Sequence, residues 1–203
     1  LFPSPSSGRI GVGDAIEDLL SIERGRVFQQ GDYARSLDQA LRRPKWIPAP
    51  QSIENHHLRS HGARTRARFR LMRTLANADF RAKSMADVLR NRDKSIRLLE
   101  GKQLYIANQN GEFSKRLTAA TKEDVARLLD QLASAKHAQR CLDPRNPAPA
   151  QLSIPDDLIH WKSDRVLTVR EMARIQSFPD WFVFRSKETT GGVARSYEVP
   201  QYT

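Results

Sequence analysis

The chain has 203 residues, 39% of them hydrophobic, enough for one full domain or for a small domain with extended flanks. Lysine plus arginine number 34 against 23 aspartate plus glutamate; the formal net charge of +11 and a pI near 10.3 point to a polyanionic partner, nucleic acid before a membrane surface. No apolar run approaches the roughly 20 residues that span a bilayer, and the single cysteine, Cys141, excludes an internal disulfide and any zinc site that histidines do not largely supply.

A soluble protein of the reducing cytoplasm is the expectation. The opening Leu1-Phe2-Pro3-Ser4-Pro5 has no initiator methionine, basic region or apolar signal core, and reads as a cut end. After this extended stretch, residues 12–20 predict a short helix burying Ala15, Ile16, Leu19 and Leu20, with Asp14 capping its start. From Gly25 to Pro50 the pattern is irregular and runs out in Pro44, Pro48 and Pro50, as in a surface connector. A domain boundary falls near Asn55, so residues 1–54 form a leading segment, 55–164 a central domain and 165–203 a returning segment.

Between His56 and Ala78 no acidic residue occurs, while Arg59, Arg64, Arg66, Arg68, Arg70 and Arg73 form a dense row of guanidinium groups. Phe69, Met72, Leu75 and Ala76 recur at helical spacing, predicting an amphipathic helix with its apolar stripe inward and its arginines outward. A second helix is expected over 84–90, burying Met85, Val88 and Leu89. The period then shortens: residues 103–107 and 112–117 flank Asn108-Gln109-Asn110-Gly111, a hairpin signal. Thr121 with Asp124 makes a capping box for a helix burying Val125, Leu128, Leu129 and Leu132. Prolines 144, 147, 149 and 155 then break the chain into short extended pieces, with a strand expected over 151–154. Thr168 and Glu171 make a second capping box, for a helix with Val169, Met172, Ala173 and Ile175 inward that Pro179 ends.

Read as a string, Arg165 to Phe184 is RVLTVREMARIQSFPDWFVF. It resembles the ninth conserved motif of DNA cytosine C5 methyltransferases, R-x-L-T-x-R-E-x-A-R-x-Q-x-F-P-D. The likeness extends to Pro155-Asp156-Asp157-Leu158-Ile159-His160 before it, and to residues 189–192 and 198–203 after it. Val12 to Leu19 resembles the helix that leaves the catalytic domain in such enzymes, whereas Asn77 to Lys136 matches nothing in the family pattern. The resemblance implies the target-recognition portion of an enzyme that methylates cytosine in duplex DNA with S-adenosylmethionine. It also implies that the tenth motif would begin after Thr203. The family's other chemical parts, its glycine-bearing cofactor loop, Pro-Cys nucleophile loop, Glu-Asn-Val motif and Gln-x-Arg-x-Arg motif, are not found in these 203 residues.

That chemistry needs a thiolate adding to C6 of a flipped cytosine, a carboxylic acid at the ring nitrogen and a cofactor methyl group. Cys141, in Gln139-Arg140-Cys141-Leu142, follows no proline and reads as structural. The expectation is therefore no catalytic, cofactor-binding or metal residue in the chain, with S-adenosylmethionine serving the parent enzyme. Its partners would be duplex DNA and a catalytic domain or subunit of the same methyltransferase.

By resemblance, Arg140, Arg145, Asn146, Gln151 and Ser153 lie where family members place loops that enter the major groove; arginine can bond guanine there and asparagine or glutamine adenine. The usual Pro-Ala-Pro-Thr is replaced by Pro147-Ala148-Pro149-Ala150. Either Gln151 or Ser153 takes over the lost hydroxyl's contact, or the region is specialised or degenerate. Arg59, Arg64, Arg66, Arg68 and Arg70 read as phosphate contacts, weighed against a solvated helix face. His56, His57 and His61 lack a convincing third and fourth metal ligand and read as capping, packing or phosphate-contacting residues. Arg165, Arg170, Glu171 and Arg174 read as an internal or interdomain charge network.

The expected fold is α+β: helices around a small twisted set of short strands, without the parent's parallel catalytic sheet. Two alternatives stand beside target recognition: a stand-alone basic DNA-binding or regulatory module without methylation, and an RNA-binding domain.

Overall fold

The computed structural model describes residues 8–23, 25, 27–48, 52–134, 138–150, 157–185, 187–188 and 201–202. It divides the chain into two units: Leu1–Leu58, Asp143–Pro155 and Thr168–Thr203 in the first, Arg59–Leu142 and Asp156–Leu167 in the second. Gln151, Ser153 and the strand expected over 151–154 lie outside the described residues.

In the first unit, α1 (Val12–Ile16) starts where the Asp14 carboxylate accepts the Gly11 N–H at 2.9 Å, the expected cap. A 3-10 turn (Glu17–Leu19) and α2 (Leu20–Glu23) continue it, and Ala15, Ile16, Leu19 and Leu20 are all buried. The loop 143–146 lies against its start: the N–H groups of Val12 and Gly13 donate to the carbonyls of Asn146 and Pro144 at 3.0 and 2.9 Å. A Cβ on Gly11 would stand 2.4 Å from the Pro144 oxygen, so only glycine permits this approach.

Residues 25–50 depart from the expected irregular connector, because α3 (Asp32–Ala40) forms within them. It buries only Ala34, too little apolar surface to show as a helical period. Polar bonds hold it instead: the Asp38 carboxylate accepts the Asp180 N–H at 2.9 Å and the Gln30 amide at 2.8 Å, while the Trp181 indole donates to the Leu41 carbonyl at 2.8 Å. α8 (Val169–Ile175) carries the second capping box, with Thr168 Oγ1 accepting the Glu171 N–H and Glu171 Oε2 accepting the Thr168 N–H.

In the second unit, α4 (Ala63–Asn77) buries Ala67, Phe69, Leu71, Met72, Leu75 and Ala76. At 100° per residue these positions wrap around most of the helix. The outward stripe is correspondingly narrow, made of Arg66, Arg70, Arg73 and Asn77. α5 (Met85–Arg90) is followed at once by α6 (Arg92–Leu99), which buries Ile96 and Leu99. The expected hairpin is present: β1 (Gln103–Leu104) pairs antiparallel with β2 (Thr118–Ala119), and Ala107 bridges Phe113 nearer the turn. α7 (Lys122–Gln131) buries Val125, Leu128 and Leu129 against this core, and Arg92 ties α6 to it through Asp130 at 2.7 and 2.9 Å. β3 (Arg140–Cys141) and β4 (Leu158–Ile159) pair in parallel.

Thr121 Oγ1 accepts the Asp124 N–H and the Asp124 carboxylate accepts the Thr121 N–H, both at 3.1 Å. That backbone bond, opposed by some burial and aided by Arg127, holds the Asp124 carboxyl below its ordinary value. Thr121→Ala is expected to cost about 1 kcal/mol in urea unfolding; an unchanged midpoint would show that the box contributes nothing.

A further parallel pair, β5 (Lys187–Glu188) with β6 (Gln201–Tyr202), belongs to the first unit. The architecture is thus the expected α+β arrangement of helices with short strand pairs. Among the described residues no helix is long and apolar enough to cross a membrane.

Candidate functional site

The most densely bonded region of the first unit is α8 and the turn that follows it. Arg174 is fully buried; its Nε and Nη2 meet the two Asp180 carboxylate oxygens at 2.8 and 2.7 Å, and its Nη1 meets Asp18 at 2.5 Å. Burial alone would raise the Asp180 carboxyl, but the hydrogen bonds and charge of Arg174 outweigh it and hold the group below the usual carboxylate range. Arg170, equally buried, spends its guanidinium on backbone: Glu54, Pro179 and Phe182 carbonyls accept from it at 3.0, 3.0 and 2.6 Å. Burial lowers its proton affinity. Arg165, in the second unit, donates to the Val166 carbonyl at 2.8 Å.

This region also fixes a neighbouring loop. Asn55, at a positive φ of 64° that asparagine tolerates, accepts the Arg170 N–H on its carbonyl and exchanges two side-chain bonds with the Phe184 backbone at 2.9 and 3.0 Å. Phe178, Phe182 and Phe184 pack edge to face around it. The charges of α8 thus form an internal framework.

Glu23, His56 and Glu171 present possible ligand atoms within 4.8 Å of one another. Glu171 Oε2 is nevertheless engaged by the Thr168 N–H, and His56 Nδ1 lies 2.9 Å from Thr168 Oγ1. Both residues therefore serve the start of α8, in line with the capping role expected of His56. Cys141 is buried in β3, its Sγ 3.6 Å from the Leu142 carbonyl oxygen, and offers no exposed thiolate.

The anticipated DNA-contacting residues are divided between the two units. Arg145 and Asn146 belong to the first unit, on a loop organised by Asp143, whose carboxylate accepts from the Arg145 N–H, the Arg145 guanidinium and the Asn146 amide at 3.1, 3.2 and 2.8 Å. The Arg145 side chain remains 75% exposed, so its outer donors face solvent. Arg140 sits half-buried on β3, and Arg59 is half-buried just before α4.

Along α4 the arginines divide into two groups. Arg64 and Arg68 lie one turn apart; Arg64 is exposed and donates twice to the Gln131 carbonyl at 2.9 and 2.6 Å, whereas Arg68 is half-buried. Burial, then the adjacent Arg64 charge, pulls Arg68 below the ordinary arginine value, and its sheltered Nε meets no acceptor. Arg68 is sheltered because the apolar stripe of α4 runs through its side of the helix; Arg64, in the first turn, stays exposed. Arg66 and Arg70 face outward, bonded to the Tyr105 hydroxyl at 3.2 Å and the Gln103 carbonyl at 2.9 Å. Arg73 is committed to Asp164, with two contacts at 3.0 and 2.8 Å and little exposure on either side. Sequence reasoning missed Asp18, Asp38, Asp164 and Asp180 as partners, since their separation from the arginines along the chain carries no periodic signal.

A family model described as C-5 cytosine-specific DNA methylase matches residues 30–197. No curated protein and no solved structure matches the chain.

Proposed function

The chain belongs to the C-5 cytosine-specific DNA methylase family, and from that premise we propose that it is the part of such an enzyme that recognises duplex DNA. The match over residues 30–197 carries this reading. Family members transfer a methyl group from S-adenosylmethionine to cytosine, and we assign that step to a catalytic portion outside these 203 residues. The thiol required for attack on C6 has no exposed counterpart among the described residues, as Cys141 is buried.

S-adenosylmethionine does not fit the depression at the start of α1. That depression, about 510 Å³, is lined by Ile10–Val12, Ala15, Tyr33, Pro147–Ala150 and Ile175–Ser177. It offers no carboxylate to receive an ammonium group or a ribose diol, so we derive no step through S-adenosylmethionine here.

We read Arg165 to Asp180 as the family's ninth motif, and the geometry supplies a physical reason for most of its positions. Thr168 and Glu171 cap the helix, Arg170 gathers three carbonyls, and Arg174 closes on Asp180 after the turn at Phe178-Pro179. The motif's task in this chain is to brace the first unit. Exposed Val27, Leu41, Trp46, Leu58 and Phe182 in that unit support a docking role towards the catalytic portion. The outward cations of the second unit support contact with phosphates.

Co-expression with the polypeptide encoded upstream of Leu1 tests the proposal. Methylation of cytosine in duplex DNA is expected only when both parts are present. At matched salt the chain should bind mixed-sequence duplex DNA more tightly than RNA, with affinity falling steeply as salt rises. A folded, DNA-binding chain that restores no methylation would instead indicate a stand-alone module.

A further inference from the structure

We propose that the β1–β2 hairpin of the second unit reads base edges in the major groove, flanked by a small cationic surround that grips the adjoining phosphates. The inference rests on the reading of the chain as a DNA-recognition part and names where in it sequence is read.

The hairpin tip is built to be rigid and to present amides. Asn108 holds it: its Oδ1 accepts the N–H groups of Asn110 and Glu112, both at 3.0 Å, and its Nδ2 donates to the Glu112 carboxylate at 3.0 Å. Its carbonyl accepts the Gly111 N–H at 3.0 Å, across a turn whose φ of 80° at Gly111 requires glycine. The side chains of Gln109 and Asn110 are exposed and take part in none of these bonds. An amide held outward on a stiff turn can donate to N7 and accept from N6 of adenine. A two-stranded ribbon matches the roughly 12 Å width of the major groove.

The surround is cationic for local reasons. Between the paired stretches, Tyr105 and Ile106 on the first strand face Ser114 to Leu117 on the second, so the second strand bulges. Lys115 and Arg116 in this bulge are exposed, as is Lys102 at the base of the hairpin. Arg66 and Arg70 lie along the first strand through Tyr105 and Gln103, and Arg66 also covers the Tyr105 ring at 5.5 Å. Each uses one guanidinium nitrogen there, leaving other N–H donors for phosphate. Glu112 is the single acid from 103 to 119, and Asn108 engages it.

The test is selection by the 203-residue chain from a randomised duplex pool, followed by binding to the enriched duplex and to mixed-sequence duplex. Wild type should enrich a consensus. Gln109→Ala, and the Gln109→Ala/Asn110→Ala pair, should bind mixed duplex within about twofold of wild type. Their affinity for the consensus should fall about tenfold per lost pair, with selectivity lost at one or two adjacent positions. Arg66→Ala/Lys102→Ala should weaken both duplexes alike and flatten the salt dependence by about two units in the log–log slope. Tip variants that enrich the same consensus at full affinity overturn the proposal, as does a wild type that binds duplex without preference. A wild type that binds no duplex at low salt overturns the underlying DNA-recognition reading as well.

Discussion

Replacing Arg174 with methionine is expected to destabilise the first unit by about 3–5 kcal/mol, the cost of leaving buried carboxylates without their counter-charge. Asp180 and Asp18 both close on this guanidinium at 2.5–2.8 Å, and Asp180 is 4% exposed. A lysine at 174 is not expected to rescue, because a single ammonium cannot span both Asp180 oxygens. Arg174→Met/Asp180→Leu should recover part of the loss by removing one stranded charge. Urea unfolding followed by tryptophan fluorescence reads all three.

The same pair makes a pH statement. Folding lowers the proton affinity of Asp180, so the unfolded chain binds more protons at this group. Its contribution is fully present above the unfolded carboxylate value of about 3.9 and is lost as pH falls through the lower folded value. In Arg174→Met the depressing partner is gone while burial remains, which raises the carboxyl. The acid-side slope of stability should then flatten or change sign. A wild-type slope preserved in the variant would show that Arg174 does not hold Asp180 ionised.

Local signals in the sequence carried much of the secondary structure. Capping boxes at Thr121 and Thr168, the Asn110-Gly111 turn and the apolar period of α4 are short-range patterns, and each corresponds to an element. α3 escaped because one buried alanine leaves no period, and its anchors, Gln30, Asp180 and Trp181, are mostly remote in sequence. For a related reason, charge density counts the cations of α4 without telling that Arg68 is half-buried there. Arg73 and Asp164 are 91 residues apart, so no local pattern could pair them. Of the candidate interface, the net charge and the hairpin were legible; the bulge that carries the exposed Lys115 and Arg116 emerges only from the register of β1 and β2.

Arg170→Met is expected to cost about 2 kcal/mol, on the order of 1 kcal/mol for each carbonyl left without its donor. The Glu54 and Phe182 carbonyls have this one guanidinium between them in the hydrogen bonds described, the Pro179 carbonyl keeps the Phe182 N–H at 3.1 Å, and the side chain is wholly buried. Carbonyls do not titrate, and Asp180, 3.9 Å from Arg170, keeps its two bonds to Arg174, so the loss should depend on pH far less than that of Arg174→Met. Arg170→Lys should retain one bond and recover only part of the stability. The outward cations of the second unit are untouched by either change. Affinity for mixed-sequence duplex, measured well below the unfolding transition, should therefore stay within about twofold of wild type. A stability loss under about 1 kcal/mol would mean that the carbonyls find other donors; a collapse of DNA affinity in a folded Arg170 variant would make the arginine a DNA contact instead of a brace.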